Sequence, residues 1–241
     1  MHLPAVLLAS AVLATPFFAW SVPASAVNDD AGLEIVSRYL DATRTQQAAL
    51  RGVQMEVDID AKLPRLEKQG KLRALRCISK LGQITYKALG FSGDNTIKKE
   101  VITRYLEAES QARDSGEIAI TPENYKFKLK GSIERAGQVV QIFQITPRKK
   151  RVGLFKGELW LDAQTGMPVR ESGRFVKTPS VFLKKIEFVR DYELRDGVSI
   201  PRHIESRVDT RVVGRAELNI NFSNFTKQEN TTADLMDGRG N

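Results

Sequence analysis

The chain has 241 residues, of which 41% are hydrophobic and 27% charged, and a formal net charge of +8. That composition excludes a wholly disordered chain, and the length suits one domain with a sizeable core. The single cysteine, Cys77, excludes an internal disulfide, and the two histidines, His2 and His203, exclude a His-based or Cys2His2 metal site.

Residues 1–26 predict a cleaved export signal. An apolar stretch covers residues 5–20, and Ala24-Ser25-Ala26 has the small-x-small pattern that a signal peptidase reads. No Lys or Arg precedes the stretch. Pro16 and the shortness of the run argue against a bilayer span; an uncleaved anchor is the alternative. The segment holds no Asp, Glu, Lys or Arg, so the whole net charge belongs to the exported part. A basic exported protein meets anionic lipid head groups or acidic proteins more readily than nucleic acid. The expected organisation is a signal over 1–26, one domain over 27–228, and a polar, flexible tail over 229–241.

Asp29 and Asp30 are placed to cap a helix over 31–50, with Leu33, Val36 and Leu40 as its apolar stripe and Ile35 and Tyr39 beside it. Gly52 opens a different period. Val53, Met55, Val57 and Ile59 alternate with polar residues, which predicts a half-buried strand. Two more strands are predicted over 71–79 and 83–91, turning at Leu81-Gly82, with Cys77 as a small buried strand residue. A second helix is predicted over 96–113. Its face is Val101, Tyr105 and Ala108, with Ile97 and Leu106 beside it.

From Tyr125 onward strand follows strand, with hairpin turns at Thr165-Gly166 and Asp196-Gly197. Three alternating sets stand out: Phe182, Ile186, Phe188, Tyr192 and Leu194; Val198, Ile200, Ile204 and Val208; and Val212, Gly214, Ala216, Leu218, Ile220 and Phe222. Hairpin-linked strands with one apolar and one charged side predict a mainly β (α+β) fold. Its expected form is a single curved antiparallel sheet, an open half-barrel with both helices over its concave apolar face.

The run Gly157-Glu-Leu-Trp-Leu-Asp-Ala-Gln-Thr-Gly-Met-Pro-Val-Arg-Glu-Ser-Gly-Arg174 resembles the strand–turn–strand signature of the outer-membrane lipoprotein-sorting superfamily, the LolA/LolB/RseB group. Ile145-Thr146-Pro147 upstream, and Asp191-Tyr192-Glu193, Asp196-Gly197 and Ile200-Pro201 downstream, are similar to the flanking strands of that group. The resemblance covers about residues 145–208. It implies an open half-barrel under a helical lid, holding acyl chains of a lipid or lipoprotein, or sensing envelope stress as RseB-like members do. No position matches the group's lid-contacting basic residue, so none is carried over.

The candidate ligand-facing residues are Val57, Leu159, Leu161, Ile186, Phe188, Ile204, Leu218, Ile220 and Phe222. Val101 and Tyr105 are the candidate lid residues. The basic run Arg148, Lys149, Lys150 and Arg151 is a candidate for docking to an anionic surface. His203 falls mid-strand on the charged side, with no nucleophile turn in the chain to serve. Glu107/Glu109 and Asp191/Glu193 read as solvated carboxylates.

The expectation is therefore a periplasmic, monomeric carrier of lipid or lipoprotein acyl chains. It has no catalytic residue, metal, cofactor or nucleic-acid partner, and it meets a membrane-associated donor or acceptor protein. The alternatives are an RseB-like regulatory or assembly module that binds a protein, and a transmembrane barrel. High charge and an interior helix oppose the barrel.

Overall fold

The computed structural model describes residues 29–111, 116–135 and 137–227. The expected export signal, the expected tail, the Asp29 and Asp30 side chains and the predicted end of the second helix lie outside what is described. A helix, α1 (Asp29–Ala49), leads into three strands, β1 (Val53–Leu63), β2 (Lys68–Ile78) and β3 (Ile84–Gly93). A helical segment follows in three pieces: α2 (Asn95–Ile97), a wide π-helical turn (Lys98–Thr103) and α3 (Arg104–Gln111). Seven strands complete the domain: β4 (Tyr125–Arg135), β5 (Gln138–Pro147), β6 (Phe155–Asp162), β7 (Pro168–Phe175), β8 (Leu183–Arg195), β9 (Val198–Thr210) and β10 (Arg215–Lys227).

All ten strands form one antiparallel sheet in the order β3-β2-β1-β10-β9-β8-β7-β6-β5-β4, which does not close. The pairing register aligns one row of inward side chains across it. From one edge to the other the row reads Phe91, Leu72, Ile59, Ile220, Ile204, Arg190, Glu171, Leu159, Phe143 and Leu129. Both helical segments pack on this inner face, so the expected half-barrel with helices on its apolar face is the fold observed.

Two turns show why the hairpins form where the sequence places them. At Asp196-Gly197 both residues take positive φ, 51° and 74°, as a two-residue turn matching the strand twist requires. At the β6–β7 turn the Asp162 carboxylate accepts from the Thr165 amide and hydroxyl, each at 2.7 Å, and Gly166 turns with φ 73°. β-bulges, as at Asp191/Tyr192 and Trp160/Leu161, add local bend and twist to the sheet.

The inner face carries two separate cores. The first gathers β1, β2, β9 and β10 beneath Ile97, Val101 and Ile102 of the second helical segment. The second gathers β4, β5, β6 and β8 beneath Ile35, Val36 and Tyr39 of α1. The α1 stripe differs from the expected one: Leu33 is 67% exposed, and Gly32 instead lies against Leu129 and Phe143. A glycine there lets the helix backbone approach the sheet more closely than Leu33 would. In the second helix the wide turn rotates the buried side onto Ile102 and leaves Ala108 exposed. Cys77 is half-buried on the outer side, because the inward position beside it belongs to Arg76.

Candidate functional site

The two helical covers sit at opposite flanks of the inner face, and their cores meet at β8 and β9. There Ile186 and Val208 face each other across the β8–β9 pairing, both half-buried. Ile204 and Phe188 close the floor at 7% exposure each. Tyr105 and Leu106 of α3 form one wall, packed against the first core. Phe175 and Val176 stand on the other side, packed against the second, with the Phe175 and Phe188 rings 5.3 Å apart.

The candidate ligand-facing residues thus fall into two kinds. Val57, Leu159, Leu161, Leu218 and Ile220 are almost wholly enclosed in the two cores, while Ile186 and Phe222 keep part of their surface open. Val101, buried under the helix, and Tyr105, half-buried, the two candidate lid residues, both pack the second helical segment against the sheet.

A line of polar side chains crosses this floor. Arg76, 8% exposed, extends from β2 and donates to Glu109 of α3 at 2.9 Å and 3.2 Å, and to the Tyr86 hydroxyl at 3.1 Å. Tyr86 in turn donates to the other Glu109 oxygen at 2.5 Å. Burial pushes the Glu109 carboxyl up, but the Arg76 charge and the bonds from Tyr86, Arg76 and Tyr105 outweigh it and hold its pKa below the usual carboxylate value. Burial and the adjacent Glu109 carboxylate raise the Tyr86 pKa, so that hydroxyl stays protonated.

Further across, the Arg190 guanidinium lies 5.2 Å over the Phe188 ring and donates to buried Glu171 at 3.3 Å. Burial opposes the Arg190 charge, but Tyr192, Glu171 and Tyr105 overcome it and raise its pKa. On the α1 side, burial and then Glu171 raise the pKa of Tyr39. Each helical cover therefore contributes a tyrosine to this charged line.

Sequence reasoning missed Arg76, Glu171 and Arg190 and took Glu109 for a solvated charge. The Glu109 side chain is only 22% exposed and fully bonded. Arg76 ties the sheet to α3 through Glu109. The signal was its phase: Leu72, Ala74, Arg76 and Ile78 share one side of β2, as Ile186, Phe188 and Arg190 share one side of β8.

On the opposite face, an open depression of about 510 Å³ is lined by Asp58, Asp60, Lys71, Arg73 and Asn221. Among the described residues no group of His, Cys, Asp and Glu is arranged to hold a metal ion. His203 is outward and faces Asn221 at 2.8 Å and Glu205 at 3.5 Å. Within the basic run, Arg148 donates to the Pro122 carbonyl at 2.7 Å and Arg151 pairs with Glu117 at 3.3 Å. Lys149 and Lys150 are exposed.

No family model and no curated protein matches the chain. Solved structures do. An outer membrane lipoprotein-sorting protein domain from Vibrio parahaemolyticus is 15% identical, with a TM-score of 0.41 over 84% of this chain and 94% of that one. A LolA superfamily protein from Nitrosomonas europaea is 12% identical, with a TM-score of 0.36 over 80% and 94%. MucB in the Pseudomonas aeruginosa MucA/MucB complex is 11% identical, with a TM-score of 0.29 over 79% and 99%. These are structures of the group that the Gly157–Arg174 signature resembles. The overlay is loose, and no site residue or activity comes to this chain from it.

Proposed function

We propose that this chain is an exported periplasmic carrier that takes an acyl chain of a lipid or lipoprotein onto the inner face of its sheet, between α1 and the lid segment α2–α3. The observation that carries this reading is the uncovered floor between the two cores, where Ile186 and Val208 are paired yet only half-buried. A surface of this kind gains about 0.8 kcal/mol for each CH₂ of a ligand that it buries. The charged line from Arg76 to Glu171 gives the floor a polar boundary, suited to an amphiphile rather than a plain hydrocarbon. Among the described residues no helix is long and apolar enough to cross a membrane.

Native mass spectrometry of the chain purified from an envelope fraction without detergent tests the reading. A discrete added mass, released by organic solvent and identified as lipid or acylated peptide, is the expected result. A bare chain that also refuses added lipid and acylated peptide would turn the reading towards a protein-binding module.

The two kinds of candidate residue separate the floor from the core. Ile186→Asp is expected to lower lipid uptake at least tenfold, on the order of 1.4 kcal/mol, with little change in the unfolding midpoint. Leu159→Ala is expected to lose about 2–5 kcal/mol of stability, because Leu159 is wholly enclosed. Unchanged uptake in a folded Ile186→Asp protein would remove Ile186 from the site.

A further inference from the structure

Half of the large apolar side chains that the described residues leave exposed gather at one end of the sheet. Val181, Phe182 and Val212 are 78%, 63% and 68% exposed, and Leu66 and Val152 join them at 41% and 43%. They stand on four connections: 64–67, 148–154, 176–182 and 211–214. Contacts in series make these connections one surface. The aliphatic part of Arg65 lies against Gly214. The Arg211 amide donates to the Phe182 carbonyl at 2.9 Å and its guanidinium to the Val181 carbonyl at 2.7 Å. The Val176 amide donates to the Leu154 carbonyl at 2.9 Å.

The four connections hold Arg65, the Arg148–Arg151 run, Lys177 and Arg211 against a single carboxylate, Glu67, and Glu117 beside them pairs with Arg151. Apolar tips set among basic residues fit one chemistry: a bilayer surface, whose anionic head groups meet the cations while the tips enter the acyl boundary. The Arg211 bonds hold Val181 and Phe182 at the outside of the surface and cost the loop its chance to fold them inward. The opposite end of the sheet is built otherwise, with α1 laid across it: Arg38 donates to the Ala163 carbonyl at 2.5 Å and Gln46 to the Ser199 carbonyl at 2.9 Å.

We infer that this end of the sheet is a docking edge for an anionic membrane surface, with Val181 and Phe182 as its inserting tip and Lys149 and Lys150 as its principal cations. The edge borders the floor at Val176, but Val181, Phe182, Lys149 and Lys150 are not among the residues that form the floor.

Sedimentation of the full exported chain with vesicles of phosphatidylcholine, with and without phosphatidylglycerol, tests the inference. Binding is expected only with phosphatidylglycerol and to weaken as salt rises. Lys149→Ala and Lys150→Ala should each weaken it about fivefold. Phe182→Asp should abolish it without moving the unfolding midpoint, because the side chain is exposed. Leu81→Asp, at the opposite end and 85% exposed, should bind as the parent does. A Phe182→Trp protein supplies an independent reading, since its fluorescence should shift to the blue on phosphatidylglycerol vesicles. Equal binding to both vesicles, binding insensitive to Phe182→Asp, an unshifted Phe182→Trp spectrum, or tighter binding to polyglutamate than to vesicles would each overturn the inference, the last in favour of an acidic protein partner.

Discussion

Replacing Arg76 with methionine is expected to destabilise the protein by about 3–5 kcal/mol, the cost of stranding a buried carboxylate. Arg76 makes two of the bonds that hold Glu109, and its charge offsets the burial of that carboxyl. Methionine keeps most of the packing volume beside Met55 but supplies no charge. At about 2–4 °C per kcal/mol for a chain of this size, the loss would be plain in a melting curve.

The pH dependence gives a sharper reading than the midpoint. In the parent the Glu109 pKa is depressed. Its contribution to stability is therefore complete above the unfolded carboxylate value and is lost as pH falls through the folded one. In Arg76→Met, burial dominates and raises that pKa, so the folded protein holds a proton that the unfolded chain releases. Stability then falls as pH rises from the unfolded carboxylate value through the raised folded one, a slope of opposite sign at higher pH than the parent's. Adding Glu109→Gln should remove the slope and restore most of the loss. An Arg76→Met protein with the parent's stability and slope would show that the Arg76–Glu109 pair does not hold α3 down.

Loosening α3 also bears on ligand access. Tyr105 walls the uncovered floor and bonds to Glu109, so freeing Glu109 releases that wall. Faster exchange of a bound acyl chain in Arg76→Met, measured at a temperature where the variant is folded, would accompany the loss of stability.

The fold was legible in the sequence because its strands alternate cleanly and its turns carry their own chemistry. Asp196-Gly197 specifies a turn by φ, and Asp162 to Gly166 by φ and side-chain bonds, with no help from distant residues. The order of the strands follows from hairpins alone, except for the β1–β10 pairing, which joins residues far apart in the chain. Alternation puts Ile220 and Ile204 in line with Ile59 across three paired strands, and sets Val57 opposite Phe222.

What alternation does not reveal is which inward positions a helix covers. Leu159 and Ile186 read alike in sequence, yet one is sealed and the other half-open. The difference lies in where α1 and α2–α3 land, and that is a long-range matter. Arg76, Glu171 and Arg190 were obscured for another reason. A charged residue in an apolar phase reads as a lapse in the pattern until its partner on another strand or helix is known. The π-helical turn at Lys98–Thr103 likewise moved Ile102 into the core and Ala108 out of it, against a regular period.

Gly157→Ala is expected to cost more than about 4 kcal/mol, among the largest effects of any single methyl group in the chain. Gly157 of β6 pairs with Gly173 of β7 on the inner face. A Cβ on Gly157 would overlap the Ser172 carbonyl oxygen and come within 2.5 Å of the Gly173 Cα. The backbones of two strands thus occupy the space a side chain would need, which marks a sharp bend of the sheet. The Phe155, Phe175 and Phe188 rings fill the room left over this pair, with Phe155 and Phe188 edge-on at 4.8 Å. Adding the methyl group must either part β6 from β7 or displace Phe155. Parting the strands breaks the sheet beside the uncovered floor, so the variant should lose ligand uptake along with stability. Gly90→Ala, on edge strand β3 with open space around it, should change stability by less than about 0.5 kcal/mol and uptake not at all. A Gly157→Ala protein as stable as the Gly90→Ala protein would mean that the strands separate freely at this point. The bend would then be a consequence of the bulges and not of the glycine pair.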